Sequence, residues 1–319
     1  MRGLVTKRGN VIYLKIGSSV YQYDERQNPL GAGAMGVVFK GFECNTNTPV
    51  AIKRIIDRYA NNPVIRSRAY QEADLMFRHP NLVEMLGCCE VQPNRGPLFL
   101  VSNFVNGENI DSFINRYVRS LPEAEKRICE LFIPVLDALA YIHQKGIIHM
   151  DIKPSNIMME NGRNVRLMDL GIADVHNTIN STTSGMMGTP KYAAPEQFSD
   201  TDAPPKLTVA TDIYEAGITL YELITTQNPF TAVTIAEAKE KHRDMVLPFV
   251  VGLSRPVYDV IRKATSINPE DRYQSAGAMK MDLMEAIRSK PTSPKWFYAV
   301  VALVFLLLVL MILMILMIS

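Results

Sequence analysis

The segment His149-Met150-Asp151-Ile152-Lys153-Pro154-Ser155-Asn156 sets an acid, a cation and an amide close together behind the apolar pair Ile147-Ile148. A second acid follows at Asp169, inside Leu167-Met168-Asp169-Leu170-Gly171. These residue types suit the transfer of a phosphoryl group between oxygen atoms. Asp151 can orient an attacking hydroxyl and accept its proton, and Lys153 can offset the charge around the migrating group. Asn156 and Asp169 offer an amide carbonyl and a carboxylate, the hard oxygen donors that a divalent cation prefers. Standing alone, the stretch would also read as a surface turn through Pro154-Ser155.

Upstream elements must bring a nucleotide to these groups. Leu30-Gly31-Ala32-Gly33-Ala34-Met35-Gly36 carries a GxGxxG pattern, weak by itself because dinucleotide-binding folds use it to open a helix. Here Val37-Val38-Phe39 continues as a strand, so the pattern predicts a glycine-rich turn between two strands. Glycine matters there because backbone amides must approach phosphate oxygens closely. Val50-Ala51-Ile52-Lys53 reads as the next strand, with Lys53 either a solvated lysine or the group that neutralises the phosphates.

HMDIKPSN followed by DLG resembles the catalytic and metal-binding loops of eukaryotic-like (Hanks-type) serine/threonine protein kinases. The resemblance extends over about residues 25–288. It implies an α+β, bilobal protein kinase fold: a small, mostly antiparallel β lobe with one helix (25–102), a hinge (103–106) and a larger helical lobe (107–288). ATP with Mg2+, or Mn2+ in its place, would lie between the lobes. Leu30, Gly31, Ala32, Gly33, Gly36, Val38, Ala51 and Lys53 would line its site, with Ser102 at the rear. Backbone groups of Asn103 and Val105 would meet adenine. Asn156 and Asp169 would hold metal, and Asp151, Lys153, Lys53 and Glu72 would form the catalytic set. Glu72, on a helix expected over 67–77, is the carboxylate expected to pair with Lys53, with Asp74 as the fallback; the segment from it to His79-Pro80-Asn81 is shorter than the family norm.

Further motifs fit the same resemblance. Residues 174–184, rich in Thr and Ser, and Gly188-Thr189-Pro190-Lys191-Tyr192-Ala193-Ala194-Pro195-Glu196 look like an activation segment and peptide-seating loop. With Lys153, Thr189 favours Ser/Thr acceptors on protein substrates. Asp212 resembles the residue that bonds backbone beneath the catalytic loop, and Arg272 the partner of Glu196. One departure stands out. Met150 replaces the arginine that usually grips an activation-segment phosphate, and methionine cannot form such a bidentate bond. Activity is therefore expected not to require phosphorylation at Thr178, Ser181, Thr182, Thr183 or Ser184, unless another basic residue such as Arg166 takes over. Val37-Val38-Phe39-Lys40-Gly41 and Ala193-Ala194-Pro195-Glu196-Gln197-Phe198 look most like bacterial members. A pseudokinase scaffold is the alternative function.

Apolar spacing predicts a core helix over 123–145 with Pro134 inside it, a strand over 98–105, and a surface loop at 199–207. Residues 11–16 and 19–23 around Gly17-Ser18 predict a β-hairpin in an extension spanning 1–24, either an added sheet edge or a docking element. A net charge of +2 with 21% charged residues gives no bias toward nucleic acid. Cys44, Cys88, Cys89 and Cys129 lack metal-ligand spacing, and adjacent Cys88-Cys89 are expected to be buried free thiols in a reducing compartment. No secretory signal is read at the amino terminus. Residues 289–296 read as a linker. Residues 297–318 carry no charge, amide or proline, enough for a helix of about 33 Å against a bilayer core of about 30 Å. A single-pass carboxyl-terminal anchor in the lipid bilayer, with the kinase domain cytoplasmic beside Arg288, Lys290 and Lys295, is the expectation. Homodimerisation through the small lobe or the tail stays open.

Overall fold

The computed structural model describes residues 2–33, 36–92, 95–169, 190–198 and 207–288. The expected membrane span, most of the activation segment and nearly all of the 199–207 loop lie outside them. Among the described residues, no helix is long and apolar enough to cross a membrane.

The strands of the amino-terminal part, some alternating buried and exposed residues with period two, form one sheet. Its strands are β1 (Arg2–Arg8), β2 (Val11–Ile16), β3 (Ser19–Asp24), β4 (Gly31–Ala32), β5 (Gly36–Glu43), β6 (Pro49–Ile55), β7 (Met85–Gln92) and β8 (Arg95–Asn103). Their order is β3-β2-β1-β7-β8-β6-β5-β4. The expected hairpin is present as β2 and β3, and β1, which lacks a clean alternation, joins it to β7 in parallel. β3 also pairs with β5, Tyr21 opposite Glu43 and Gln22 opposite Phe42, so the sheet closes into a barrel. Gly41 is required at that seam: a Cβ there would lie 2.7 Å from the Gln22 carbonyl oxygen. The extension is thus an integral wall of the small lobe.

Period-two geometry divides the lobe into two cores. Leu14, Tyr23, Ile52, Cys89, Phe99 and Val101 fill the barrel. Ile55, Cys88, Leu98 and Leu100 face outward, against Tyr59 and Ala60 of α1 (Asp57–Ala60) and Ala69, Tyr70 and Ala73 of α2 (Pro63–Leu75). Cys88 and Cys89 therefore point to opposite faces as buried thiols outside any disulfide. Burial pushes the Cys89 thiol up to about 12. Helix α2 begins before the expected 67, with Pro63 at its first position, where a missing N–H does no harm.

The large lobe is built on α4 (Ala124–His143), reached from β9 (Gly107–Asn109) and α3 (Ile110–Phe113). β10 (Ile157–Glu160) and β11 (Asn164–Leu167) form a small sheet with β9. α5 (Val209–Thr225), α6 (Ile235–Asp244), α7 (Arg255–Ala264) and α8 (Ala276–Arg288) complete the lobe. One core runs through it, with Phe132, Leu136, Leu139, Ile213, Leu220 and Leu283 buried. Helix α4 keeps Pro134 inside, and α5 starts with a capping box at Thr208 and Thr211.

Candidate active site

The loop between α4 and β10 carries the polar cluster, and α5 holds it from below. Three α5 side chains at positions i, i+3 and i+7 share one helix face and bond the loop backbone. Asp212 accepts from the N–H of His149 at 2.8 Å and of Met150 at 2.7 Å. Glu215 accepts from Ile152 N–H at 2.8 Å, and Thr219 donates to the Ile152 carbonyl at 2.9 Å. All three are buried. This clamp matters because Met150 sits at φ 62°, a left-handed conformation that costs a non-glycine residue about 1–3 kcal/mol.

Asp151 receives both its oxygens' partners from this loop. Lys153 Nζ lies 2.7 and 2.8 Å from the two carboxylate oxygens. Asn156 Nδ2 donates to the Asp151 carboxylate and to its carbonyl, each at 2.8 Å. With its amide nitrogen so engaged, Asn156 has its Oδ1 as its side-chain acceptor. Met168 N–H donates to the Asn156 carbonyl at 3.0 Å, which ties the next segment to the loop. The buried His149 ring bridges them, 3.1 Å from the Met168 carbonyl through Nε2 and accepting from Asp151 N–H at 3.3 Å through Nδ1. Burial lowers the His149 pKa, and the nearby carboxylates only partly oppose this.

Asp169, at φ 56°, meets Lys53 across the cleft at 3.2 Å. Burial alone would raise its pKa, but Lys53, then His149 and Lys153, bring it below the ordinary carboxylate value. Its side chain keeps 38% exposure, toward the cleft. The site's donors are hard oxygens, Asn156 Oδ1 and the Asp169 carboxylate. Among the described residues, no group of three or more His, Cys, Asp or Glu could hold a metal. That set fits Mg2+, which binds one or two protein oxygens and completes its shell from phosphates and water.

Above this floor lies a cavity of about 400 Å3. Leu30, Gly31, Val38, Ala51, Lys53, Ser102, Asn103, Val105 and Asp169 line it, as do Met85, Leu100 and Met158, which sequence reasoning missed among ordinary strand residues. Ala32 at the end of β4, Gly33 just after it and Gly36 at the start of β5 stand outside that lining. The glycines differ in reason. A Cβ at Gly31 or Gly33 would meet nothing within 4 Å, whereas at Gly36 it would come within 2.5 Å of the Arg54 carbonyl oxygen. Gly36 is therefore required by strand packing, and only the first two leave open space. Asn103 N–H donates to the Glu84 carbonyl at 3.0 Å, so this N–H is already engaged. The Glu72 side chain lies outside the described residues.

Two further arrangements position the site. Glu196 accepts two hydrogen bonds from the buried Arg272 guanidinium, at 2.8 and 2.9 Å, and one from Thr211 at 2.8 Å. Arg66 on α2 pairs with Glu90 on β7 at 2.9 Å, and the Tyr70 hydroxyl donates to the same carboxylate oxygen at 2.5 Å. Nothing in the sequence set those two charges apart from a solvated face. Arg166, offered as the alternative basic residue, bonds Glu160 at 2.8 and 3.0 Å and the Pro80 carbonyl, and so is engaged by those groups.

A sequence profile described as the protein kinase domain matches residues 24–284. This chain belongs to that family. It is 32% identical over 273 residues to the serine/threonine-protein kinase PknB of Mycobacterium tuberculosis, covering 82% of this chain and 42% of PknB. To the serine/threonine-protein kinase PknL of the same organism it is 29% identical over 275 residues, covering 85% of this chain and 67% of PknL. The chain thus spans less than half the length of PknB. The crystal structure of the M. tuberculosis PknI kinase domain matches with a TM-score of 0.61 at 22% identity, over 81% of this chain and 94% of that one. This last likeness concerns the fold, and it agrees with the bilobal architecture expected from the motifs. The Hanks-type serine/threonine resemblance is likewise upheld by the family match and by the relatives.

Proposed function

We propose that this kinase-family chain transfers the γ-phosphate of ATP to Ser or Thr hydroxyls of protein substrates, itself included, and is held at a membrane by residues 297–318. The observation that carries the catalytic reading is the convergence of Lys53 on Asp169 at 3.2 Å, above a floor where Lys153 and Asn156 both grip Asp151. Asp151 would orient the acceptor hydroxyl and take its proton late, since phosphoryl transfer passes through a loose transition state. Lys153, already 2.7 Å from Asp151, would lie beside the transferred group and offset its charge. Lys53 would hold the α- and β-phosphates beneath the open backbone of Gly31 and Gly33. Mg2+, carried by Asn156 and Asp169, would neutralise the phosphate oxygens. Positioning and charge would supply most of the acceleration.

The anchoring reading rests on the uncharged run 297–318 with Trp296 and Tyr298 at its edge. Detergent-solubilised full-length protein, incubated with Mg2+ and labelled ATP, tests the catalytic reading. Wild type should label itself and an added protein substrate, and Asp151→Asn or Lys53→Met should lower the rate at least about a hundredfold. Equal labelling by wild type and Asp151→Asn would refute the assignment and leave the pseudokinase alternative. Cell fractionation of the full chain against one ending at residue 288 tests the anchor. Equal partition of both into the soluble fraction would refute it.

A further inference from the structure

Beside the catalytic loop is a second cavity, of about 290 Å3. It is walled by Asp111 and Ser112 of α3, Lys153 of the loop, Lys191 and Tyr192 of the turn Pro190–Tyr192, and Glu222 near the end of α5. Because Lys153 belongs both to this wall and to the grip on Asp151, a polypeptide presenting its hydroxyl to Asp151 would lay a neighbouring residue here. This rests on the protein kinase reading above.

The wall is not the acidic surface that Asp111 and Glu222 would suggest. Lys191 Nζ lies 2.9 Å from one Glu222 oxygen, and Asn228 Nδ2 donates to the other at 2.9 Å. The Lys191 ammonium also sits 4.9 Å from the centre of the Tyr192 ring, a cation–π contact that holds it in place. Burial would raise the Glu222 pKa, but bonds from Asn228, Tyr192 and Lys191 bring it below the ordinary value. Side-chain exposures of 28% for Lys191 and 21% for Glu222 leave the pair open to an incoming group. Asp111, at the rim, accepts from Asn115 at 3.1 Å.

We propose that Lys191 occupies, from within the chain, the place a basic substrate residue would take against Glu222, so that this subsite accepts a neutral residue beside the acceptor and gives arginine no advantage. An arriving guanidinium would have to displace Lys191, exchanging one ion pair for another with no net gain. With Lys191 shortened to an uncharged side chain, Glu222 becomes a half-buried carboxylate without its cation. A guanidinium can then bind it with two parallel hydrogen bonds.

The test uses full-length protein in detergent and a serine-peptide library in which each position flanking the acceptor is varied among Arg, Lys, Ala and Asp. Phosphorylation is read as kcat/KM. Binding of the same peptides without ATP is read by fluorescence anisotropy. Wild type and Lys191→Arg should treat Arg and Ala within about threefold at every position, whereas Lys191→Met should favour Arg at one position by about tenfold or more. The gain should vanish in Lys191→Met with Glu222→Gln. Lys191→Gln, which keeps a hydrogen-bond donor, gives the same reading should the Met variant fail to fold. The proposal is overturned if the folded variants rank peptides as wild type does, if the gain survives Glu222→Gln, or if wild type already selects Arg through Glu222. A binding switch without phosphorylation by any variant would instead sink the catalytic reading and leave the subsite standing.

Discussion

Replacing Arg66 with methionine tests what holds helix α2 against the sheet. The Arg66 and Glu90 side chains are 3% and 10% exposed, so their pairing at 2.9 Å is screened little by water. Arg66 also donates to the Gly96 carbonyl at 3.0 Å, to the Ala60 carbonyl, and to the Tyr70 hydroxyl at 3.2 Å. Arg66→Met leaves Glu90 in place with only Tyr70 as a donor among these groups. Stranding one partner of a buried pair costs about 3–5 kcal/mol. Arg66→Met combined with Glu90→Leu removes the stranded charge and should recover about 2 kcal/mol or more of that loss, even with two carbonyls left without their donor. The expected double-mutant cycle is therefore strongly non-additive. Urea titration gives the three stabilities, and hydrogen exchange at α2 amides locates the loosening. Because α2 carries Glu72, the single variant should also lower kcat for phosphotransfer more than it raises KM for ATP. An Arg66→Met protein within about 1 kcal/mol of wild type, or a cycle that sums to zero, would refute the claim that this network positions α2.

Other perturbations have equally definite outcomes. Asp212→Asn turns one of two accepting oxygens into a donor facing the N–H groups of His149 and Met150, so it should destabilise by about 2–4 kcal/mol and cut kcat. Unchanged urea midpoint and rate would contradict the clamp. His242 is fully buried, and burial lowers its pKa from 6.5 to about 4. It binds fewer protons folded than unfolded below pH 6.5, so stability falls as pH drops from 6.5 toward 4. Between pH 7 and 5 it should contribute a loss of about 2 kcal/mol, absent in His242→Phe, which keeps the stack on Phe230. Equal pH dependence of both proteins in urea titrations would refute this. Ser102 lines the cavity proposed to take ATP, so an ATP competitor with a bulky group toward Ser102 should bind wild type about tenfold or more tightly than Ser102→Met; equal Kd values would oppose it. With Met150 in place of the phosphate-binding arginine, Ala at residues 178, 181, 182, 183 and 184 together should leave most activity, and an inactive protein would contradict the reasoning.

What could be read in advance follows from how each residue meets its partners. Asp151, Lys153 and Asn156 bond one another within six positions, so their chemistry is visible as a string. Asp212 and Arg272 lie far from their partners and were legible only by resemblance to a family. Their bonds to Met150 and Glu196 are side chain to loop and helix, and no local period encodes them. β1 was missed because RGLVTKR carries three basic residues in seven and lacks the alternation of β2. With it went the barrel, whose closure depends on two residue pairs between β3 and β5 and on the bare Cα of Gly41. Arg66, Glu90, Lys191 and Glu222 were illegible for a shared reason. A charged residue in sequence is by default a solvated one, and only the fold shows that each of these four is sheltered by a partner more than twenty residues away. The acid, cation and amide of the loop are thus local, while Lys53 and Asp169, and the groups that hold and tune the loop, meet only across the fold. Substitutions at the holding and tuning groups should accordingly alter rate and specificity without touching any atom that reacts.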